Sequence, residues 1–282
     1  MTVSSINADA FRQFERDRHD VLAQSYHAFF APITALAHGP LLEAVHVSAH
    51  TRLLDVATGS GGVACRAADL GARTMGVDLS PNMITLASTL HPHLAFQVAD
   101  AESLPFENGS FDAVVCNFGL GHFPSAERAM AECVRVLRLG GRLAVSWWDE
   151  PSRQRLQGVF LDALQEAGAA VPPTLPPGPP LFRFAAGSAL SGLLQTVGLS
   201  AITVHPHATS YTVRDTDTLW AGGLGSLART SAVVLAQTPA MQERIRETFQ
   251  RLANGYASAQ GLTMPIAFKV AAGQRGSRTP ES

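Results

Sequence analysis

Hydrophobic and polar positions along the first half of the chain follow two different periods. Stretches with apolar residues every three or four positions predict helices, and Ser80 and Pro81 suit the cap and first position of one of them. Between these stretches lie short continuous apolar runs, which are typical of buried parallel strands, at 52–57, 73–79, 94–100, 111–119 and 142–148. Strands that alternate with helices in this way predict a doubly wound, mostly parallel α/β sheet.

The segments around this region also have helical spacing. Two or three helices are predicted within 9–48, and a helix over 125–137 is expected to end at the pair Gly140 and Gly141. The proline-rich stretch 171–180 can be neither helix nor central strand, and we interpret it as an ordered surface loop. The second half is then predicted to contain helices near 153–167 and 187–197, a long helical region over 215–257, and strands at 200–213 and 265–273.

These elements suggest a division of the chain into four parts. Residues 1–50 are predicted to form a helical lid, and 51–150 a Rossmann-like core that binds a cofactor. Residues 151–270 are predicted to complete the sheet and to contribute an inserted helical region that also covers the substrate. Residues 271–282 are predicted to be a disordered tail.

Composition narrows the classes of partner and location. The chain has 282 residues, of which 46% are hydrophobic and 16% charged, with a formal net charge of -2 and no basic stripe, so no nucleic-acid partner is predicted. Three cysteines without metal-type spacing are typical of reduced cytoplasmic proteins, and no apolar segment is long enough to suggest a membrane partner. Self-association is left open. The pairs His91/His93 and His205/His207 only flank a proline, and no metal is predicted.

The stretch "LLDVATGSGG", residues 53–62, allows two interpretations. Gly59, Gly61 and Ala64 fit the dinucleotide fingerprint of an NAD-dependent oxidoreductase. However, the ends of three successive strands carry acids, Asp55, Asp78 and Asp100, and three carboxylates would repel a pyrophosphate. They suit a cationic nucleoside ligand that is rich in hydroxyl and amino donors.

Four motifs in order carry a family resemblance: "LLDVATGSGG", "GVDLS", "VADAESLPFENGSFDAVVCNFGLGHF" and "RVLRLGGRLAVSW". With them the chain resembles the class I S-adenosylmethionine-dependent methyltransferases, in particular the branch that acts on small molecules. The resemblance implies a seven-stranded sheet whose last strand is antiparallel, with S-adenosylmethionine as cofactor and S-adenosylhomocysteine as product. Two positions depart from the family pattern: Ala57 stands where the first glycine of the turn is usual, and Leu139 replaces a proline.

The resemblance also implies roles for single residues. Gly59 and Gly61 would let the backbone approach the cofactor, Asp55 would accept from the methionyl amino group, and Asp78 from both ribose hydroxyls. Asp100 would accept from the adenine amino group, with Ala101 offering a backbone amide. The full set predicted to bind the cofactor is Asp55, Ala57, Thr58, Gly59, Gly61, Asp78, Leu79, Met83, Asp100, Ala101, Asn117 and Phe118.

The predicted reaction is methyl transfer to the O, N or C atom of a small, largely apolar metabolite by in-line displacement, of the kind found in secondary metabolism. His122, just past the fourth strand, is the candidate general base, needed if the acceptor carries a proton on the reacting atom. The residues predicted to line the acceptor pocket are Tyr26, His27, Phe30, Trp148, Phe182 and Trp220. Two alternatives stay open, an NAD-dependent oxidoreductase and a protein of the same fold that catalyses a rearrangement without methylation.

Overall fold

A computed structural model describes residues 7–276 and contains one mixed sheet flanked by helices. Seven strands lie side by side in the order β3-β2-β1-β4-β5-β8-β6, and the short β7 pairs only with β8. The strands are β1 (Arg52–Val56), β2 (Arg73–Asp78), β3 (Ala95–Val98), β4 (Phe111–Asn117), β5 (Leu137–Trp148), β6 (Leu199–Val213), β7 (Ala257–Ser258) and β8 (Gly261–Arg275).

Eleven α-helices occur within 7–276, together with 3₁₀ turns at Ala35–Ala37 and Leu120–His122. None of these helices is both long enough and apolar enough to cross a membrane. The helices are α1 (Ala8–Phe29), α2 (Ala31–Thr34), α3 (His38–Ala44), α4 (Gly62–Asp69), α5 (Pro81–Leu90), α6 (Ala126–Val136), α7 (Arg155–Ala167), α8 (Gly187–Thr196), α9 (Thr216–Leu224), α10 (Ala228–Leu235) and α11 (Pro239–Asn254).

The strand directions confirm the predicted fold class. Strands β1 to β5 pair in parallel, whereas β8 runs antiparallel to both β5 and β6. This is the expected doubly wound seven-stranded sheet with an antiparallel last strand, to which β7 adds one two-residue pairing. The carboxyl ends of β1, β2, β3 and β4 therefore meet at one edge, where a sheet of this kind binds its ligand.

Three sequence predictions about elements need correction. Helix α6 ends at Val136, and Gly140 and Gly141 lie inside β5 because the chain enters the sheet directly after the helix. The long helical region is three helices, α9, α10 and α11. Strand β8 continues to Arg275, so the predicted tail is wrong for 271–275, which pair with β5 and β6; residues 277–282 lie outside the described part.

The predicted divisions of the chain share one hydrophobic core. Buried residues of α2 and α3, of the central strands and of the segment beyond 150 belong to the same contact cluster. The core thus extends across the predicted boundaries between the four parts. The four-part division therefore remains a prediction about the role of each part.

Helix α1 lies over the carboxyl edge of the sheet and is fixed to the start of α5. Ser80 caps α5 as predicted, because its Oγ accepts from the amide of Met83. The same Ser80 hydroxyl donates to the carboxylate of Asp20 on α1, which also accepts from the backbone amide of Asn82 at 3.0 Å. These contacts bring the inner face of α1 over the strand ends.

Candidate active site

A cavity at the carboxyl ends of the parallel strands gathers most of the predicted cofactor residues; we call it the strand-end cavity. It contains about 790 Å³ of space not filled by protein atoms, its mouth included, and side chains of α1 cover it. The predicted residues that line it are Ala57, Gly59, Asp78, Leu79, Met83, Asp100, Ala101, Asn117 and Phe118.

Asp78 is held by the backbone on both sides of its carboxylate. Its Oδ2 accepts from the amide of Gly59 at 2.9 Å, and its Oδ1 accepts from the amide of Ser80 at 3.0 Å. Each oxygen retains a lone pair for a further donor. The carboxylate is therefore oriented in advance to accept two hydroxyl groups from a ligand in the strand-end cavity.

The turn after β1 contains three residues with positive φ, Ala57 at 56°, Gly59 at 55° and Gly61 at 85°. A Cβ added at Gly59 would lie 3.8 Å from the ring of Tyr26, at the edge of the cavity, so Gly59 leaves open space there. A Cβ at Gly61 would come within 2.8 Å of Phe96 and 2.9 Å of His91. Gly61 is therefore required by packing, and its approach to the cofactor stays a prediction.

Asp55 and Thr58 line a separate opening on the other side of this turn, which we call the turn cavity. Asp55 is completely buried, and its Oδ2 accepts from the Thr58 hydroxyl at 2.6 Å and the Ala64 amide at 3.1 Å. Its Oδ1 is buried without a partner. Burial raises the pKa of Asp55 to about 7. Because Tyr26, Ala57, Gly59 and Asn117 line both cavities, one ligand can extend from the first into the second.

Asp100 is already occupied by neighbours within the chain. Its Oδ1 accepts from the amide of Glu102 at 2.9 Å, and its Oδ2 lies 2.7 Å from Nε of Arg12 on α1. Arg12 also donates to the buried carboxylate of Glu102 at 3.0 Å. The guanidinium thus links α1 to the end of β3 at the place predicted for the adenine ring.

Asn117 and Phe118 close the end of β4. The Asn117 side chain donates to the carbonyl oxygen of Thr34 at 3.2 Å and accepts from Ser146. Phe118 has a φ of 55°, and its ring stacks on Trp148 with the centroids 3.8 Å apart.

His122 lies beside a buried carboxylate that sequence reasoning missed. Its Nδ1 is 2.8 Å from Oε2 of Glu15, which is 5% exposed on α1. Burial disfavours the charged form of His122, but the charge and hydrogen bond of Glu15 outweigh burial, and the pKa of His122 is raised. Burial likewise opposes ionisation of Glu15, yet His122 holds the pKa of Glu15 below its usual range. An acid on the buried face of an amphipathic helix was the available signal.

His19 completes this group. Its Nδ1 lies 2.8 Å from the backbone carbonyl of Glu15, and because a carbonyl only accepts, this nitrogen carries the proton. One ligand-capable atom of each of Glu15, His19 and His122 lies within 4.8 Å of the others, a spacing that could also hold a metal ion.

A second cavity adjoins the first and is walled by aromatic rings; we call it the aromatic cavity. It shares Glu15, His19, Tyr26, Phe118 and His122 with the strand-end cavity. Its own walls include Phe11, Phe30, Trp147 and Trp148, and it contains about 700 Å³ of space not filled by protein atoms, its mouth included. Glu15 and His122 therefore stand where the two cavities meet.

The predicted acceptor residues are divided by the structure. Tyr26, Phe30 and Trp148 line the aromatic cavity. His27 lines the turn cavity instead, where its Nδ1 lies 3.1 Å from the Ser60 hydroxyl.

Two further predictions for this pocket are wrong. Trp220 lies outside these cavities because it packs on Phe160 and Phe249, with centroids 5.7 Å and 5.0 Å away. Phe182 lies outside them as well, because it packs on the outside of the main core.

The fold and the strand-end acids define a class of protein, the Rossmann-like methyltransferases, and comparisons with known proteins agree. Residues 54–145 match the family described as a methyltransferase domain, roughly one third of the chain. These residues are a methyltransferase domain, and the predicted family is thereby confirmed at the level of this domain.

Curated relatives match the chain in part. A demethylmenaquinone methyltransferase from Renibacterium salmoninarum is 34% identical over 131 residues, which cover 46% of this chain and 55% of the relative. Another from Beutenbergia cavernae is 39% identical over 110 residues, 39% of this chain and 46% of the relative. The chain thus spans about half the length of the curated relatives that it matches.

Solved structures are similar to this chain in fold but share little of its sequence. A putative methyltransferase from an antibiotic biosynthesis pathway of Anabaena variabilis has a TM-score of 0.59 at 17% identity, covering 83% of this chain and 96% of that one. The [4+2]-cyclase SpnF has a TM-score of 0.51 at 19% identity, covering 86% of this chain and 81% of that one. At such identities the likeness establishes the fold alone.

Proposed function

We propose that this protein transfers a methyl group from S-adenosylmethionine to a small, largely apolar acceptor. The observation that carries the proposal is the meeting of two cavities at Glu15 and His122. One cavity has the acids and the open glycine that suit the cofactor, and the other has aromatic walls that suit an apolar molecule. Curated relatives named demethylmenaquinone methyltransferases support a small-molecule acceptor.

The residues present fit this cofactor. Asp78 would accept from the ribose hydroxyls, and Ala101 would meet the adenine ring beside Asp100, where Arg12 has to share or release the carboxylate. The unpartnered Oδ1 of Asp55 would accept from the amino group, reached past Gly59. Leu79, Met83 and Phe118 would supply apolar contacts.

When bound, the cofactor supplies a methyl group that a sulfonium already activates. The chain's own task is then to orient the acceptor, to exclude water and to remove a proton where the acceptor has one on its reacting atom. His122 would take that proton on Nε2, while Glu15 holds Nδ1 and stabilises the resulting imidazolium. Glu15 acts through His122 and is a positioning residue.

Methyl transfer is tested by incubating the protein with S-adenosylmethionine and a panel of phenols and hydroquinones as acceptors. We expect S-adenosylhomocysteine to appear together with a methylated acceptor, both measured by mass spectrometry. His122→Ala should lower kcat by roughly 10² to 10⁴ if the acceptor must lose a proton. His205→Ala, which changes an exposed histidine on β6, is the matched control.

Two other outcomes would point to different functions. Conversion of an acceptor without formation of S-adenosylhomocysteine would favour a rearrangement. A [4+2]-cyclase has a similar fold. Reduction of NAD would favour the oxidoreductase alternative.

A chelator such as EDTA should leave turnover unchanged. Loss of activity with rescue by a divalent ion would instead assign Glu15, His19 and His122 to a metal.

A further inference from the structure

Two residues that line the aromatic cavity each have a buried polar atom that lacks a partner. These are Oε1 of Gln157 on α7 and Oγ of Ser226 in the turn between α9 and α10. The two residues are 6% and 4% exposed. Leaving such atoms unpaired costs free energy, so their presence in a ligand-sized cavity calls for a partner that binds there.

Both residues lie outside the strand-end cavity. Glu15, His19 and His122 belong to both cavities, whereas Gln157 and Ser226 line only the aromatic cavity. A ligand that fills the aromatic cavity would thus contact His122 as well as the unpartnered amide and hydroxyl.

Gln157 and Ser226 also limit the charge of that ligand. An amide and a hydroxyl are neutral, and they compensate poorly for the desolvation of a charged group. The arginine of the cavity, Arg229, already donates to the carbonyl of Pro176 at 2.9 Å and faces the charge of Glu15. A neutral hydroxyl suits both sites, because it donates and accepts.

Resting on the proposed function, we propose that Gln157 and Ser226 select the acceptor: a flat aromatic compound that carries a hydroxyl group besides its reacting atom. Phe11, Phe30, Trp147 and Trp148 contact its ring faces and edges. Gln157 and Ser226 hydrogen-bond that hydroxyl and thereby set which ring atom reaches His122.

The test compares two probes, 1,4-dihydroxynaphthalene and 1-naphthol, which differ by one hydroxyl. Binding is measured anaerobically by calorimetry on the protein saturated with S-adenosylhomocysteine. We expect the diol to bind about tenfold more tightly than 1-naphthol, as one hydrogen bond in a buried site allows. Ser226→Ala and Gln157→Leu should each remove most of this preference.

Thr74→Val is the matched control, since Thr74 on β2 also has a buried hydroxyl without a partner but lies outside the aromatic cavity. It should leave the preference for the diol unchanged. Ser226→Ala should also raise the Tm of the ligand-free protein, because it removes a buried unpaired group. Gain of stability together with loss of selectivity is a combination that a purely structural role would not produce.

Equal affinity for both probes, no binding of either, or an unchanged preference in both variants would overturn the inference. Binding is measured without methyl transfer, so it separates this inference from the proposed function. Selective binding of the diol without any formation of S-adenosylhomocysteine from S-adenosylmethionine would uphold the acceptor site and contradict the methyltransferase activity.

Discussion

Burial of Asp55 makes cofactor affinity depend on pH near neutrality. Its pKa of about 7 in the folded protein exceeds the ordinary value of an aspartate, so burial favours the neutral form. The contribution of the neutral carboxyl to the free energy of unfolding is therefore lost as pH rises towards 7. A cofactor ammonium needs the ionised carboxylate. We therefore expect S-adenosylhomocysteine to bind several-fold more tightly at pH 8 than at pH 6 in calorimetry. Asp55→Asn should abolish this dependence, and a wild-type affinity that is flat over this range would contradict the assignment.

Ala57 occupies a backbone conformation that suits glycine. A φ of 56° costs an L-residue about 1 to 2 kcal/mol, partly offset by the greater freedom of glycine in the unfolded chain. We expect Ala57→Gly to raise the free energy of unfolding in urea by about 0.5 to 1 kcal/mol and to change cofactor affinity by no more than about tenfold. Ala64→Gly in α4 is the control and should destabilise. A destabilised Ala57→Gly would mean that the methyl group packs favourably.

The Glu15 carboxylate sets the pH at which His122 becomes neutral. Because the pKa of His122 is raised and a base must be unprotonated, kcat should rise with pH through a midpoint above the usual histidine range. Glu15→Gln should shift this midpoint to lower pH while S-adenosylhomocysteine affinity stays close to that of the wild type. An unshifted profile in this variant would show that Glu15 does not act through His122.

At the scale of elements, α1 is fixed over the strand-end cavity by charges. Arg12 contacts Asp100, Glu15 contacts His122, and Asp20 binds the start of α5. Binding of a ligand in the strand-end cavity should slow local opening of α1, because α1 covers that cavity. We expect amide hydrogen exchange in α1 to slow when S-adenosylhomocysteine is added, while α8, outside the cavities, stays unchanged. Equal protection of both helices would indicate a general stabilisation, and unchanged exchange in α1 would contradict its role as a cover.

The elements differ in how far the sequence predicts them. Buried strands such as β1 and β4 have a continuous apolar pattern, and the cap at Ser80 is a local signal, so both are foreseeable. The end of α6 is not, because the pairing of Leu137 with Phe111 of β4 starts β5 before the glycine pair.

The strand-end site is foreseeable for the same local reason, since Asp78 follows its strand directly. Glu15 and Arg12 are brought to the site by the docking of α1, which no local pattern encodes. Trp220 was misassigned because an aromatic residue in a helix serves a core as readily as a pocket.

At the scale of the whole molecule, one core supports both cavities. The segment beyond 150 supplies Gln157, Ser226 and Arg229 to the aromatic cavity, while the region before it supplies the strand ends and His122. The proposed acceptor site is therefore built largely from parts of the chain that lie outside the matched methyltransferase domain. This division explains why the match to a methyltransferase domain does not by itself identify the acceptor.

Calorimetric titration with S-adenosylhomocysteine tests whether the strand-end cavity binds the cofactor, and it requires no knowledge of the acceptor. The wild type and Asp217→Ala, which removes an exposed acid on α9, should bind it with equal affinity, and NAD should not bind. Asp78→Ala should weaken binding at least about 100-fold, since it removes the carboxylate that is proposed to accept two charge-assisted hydrogen bonds from the ribose hydroxyls. Failure of the wild type to bind, or unchanged affinity in Asp78→Ala, would contradict the account.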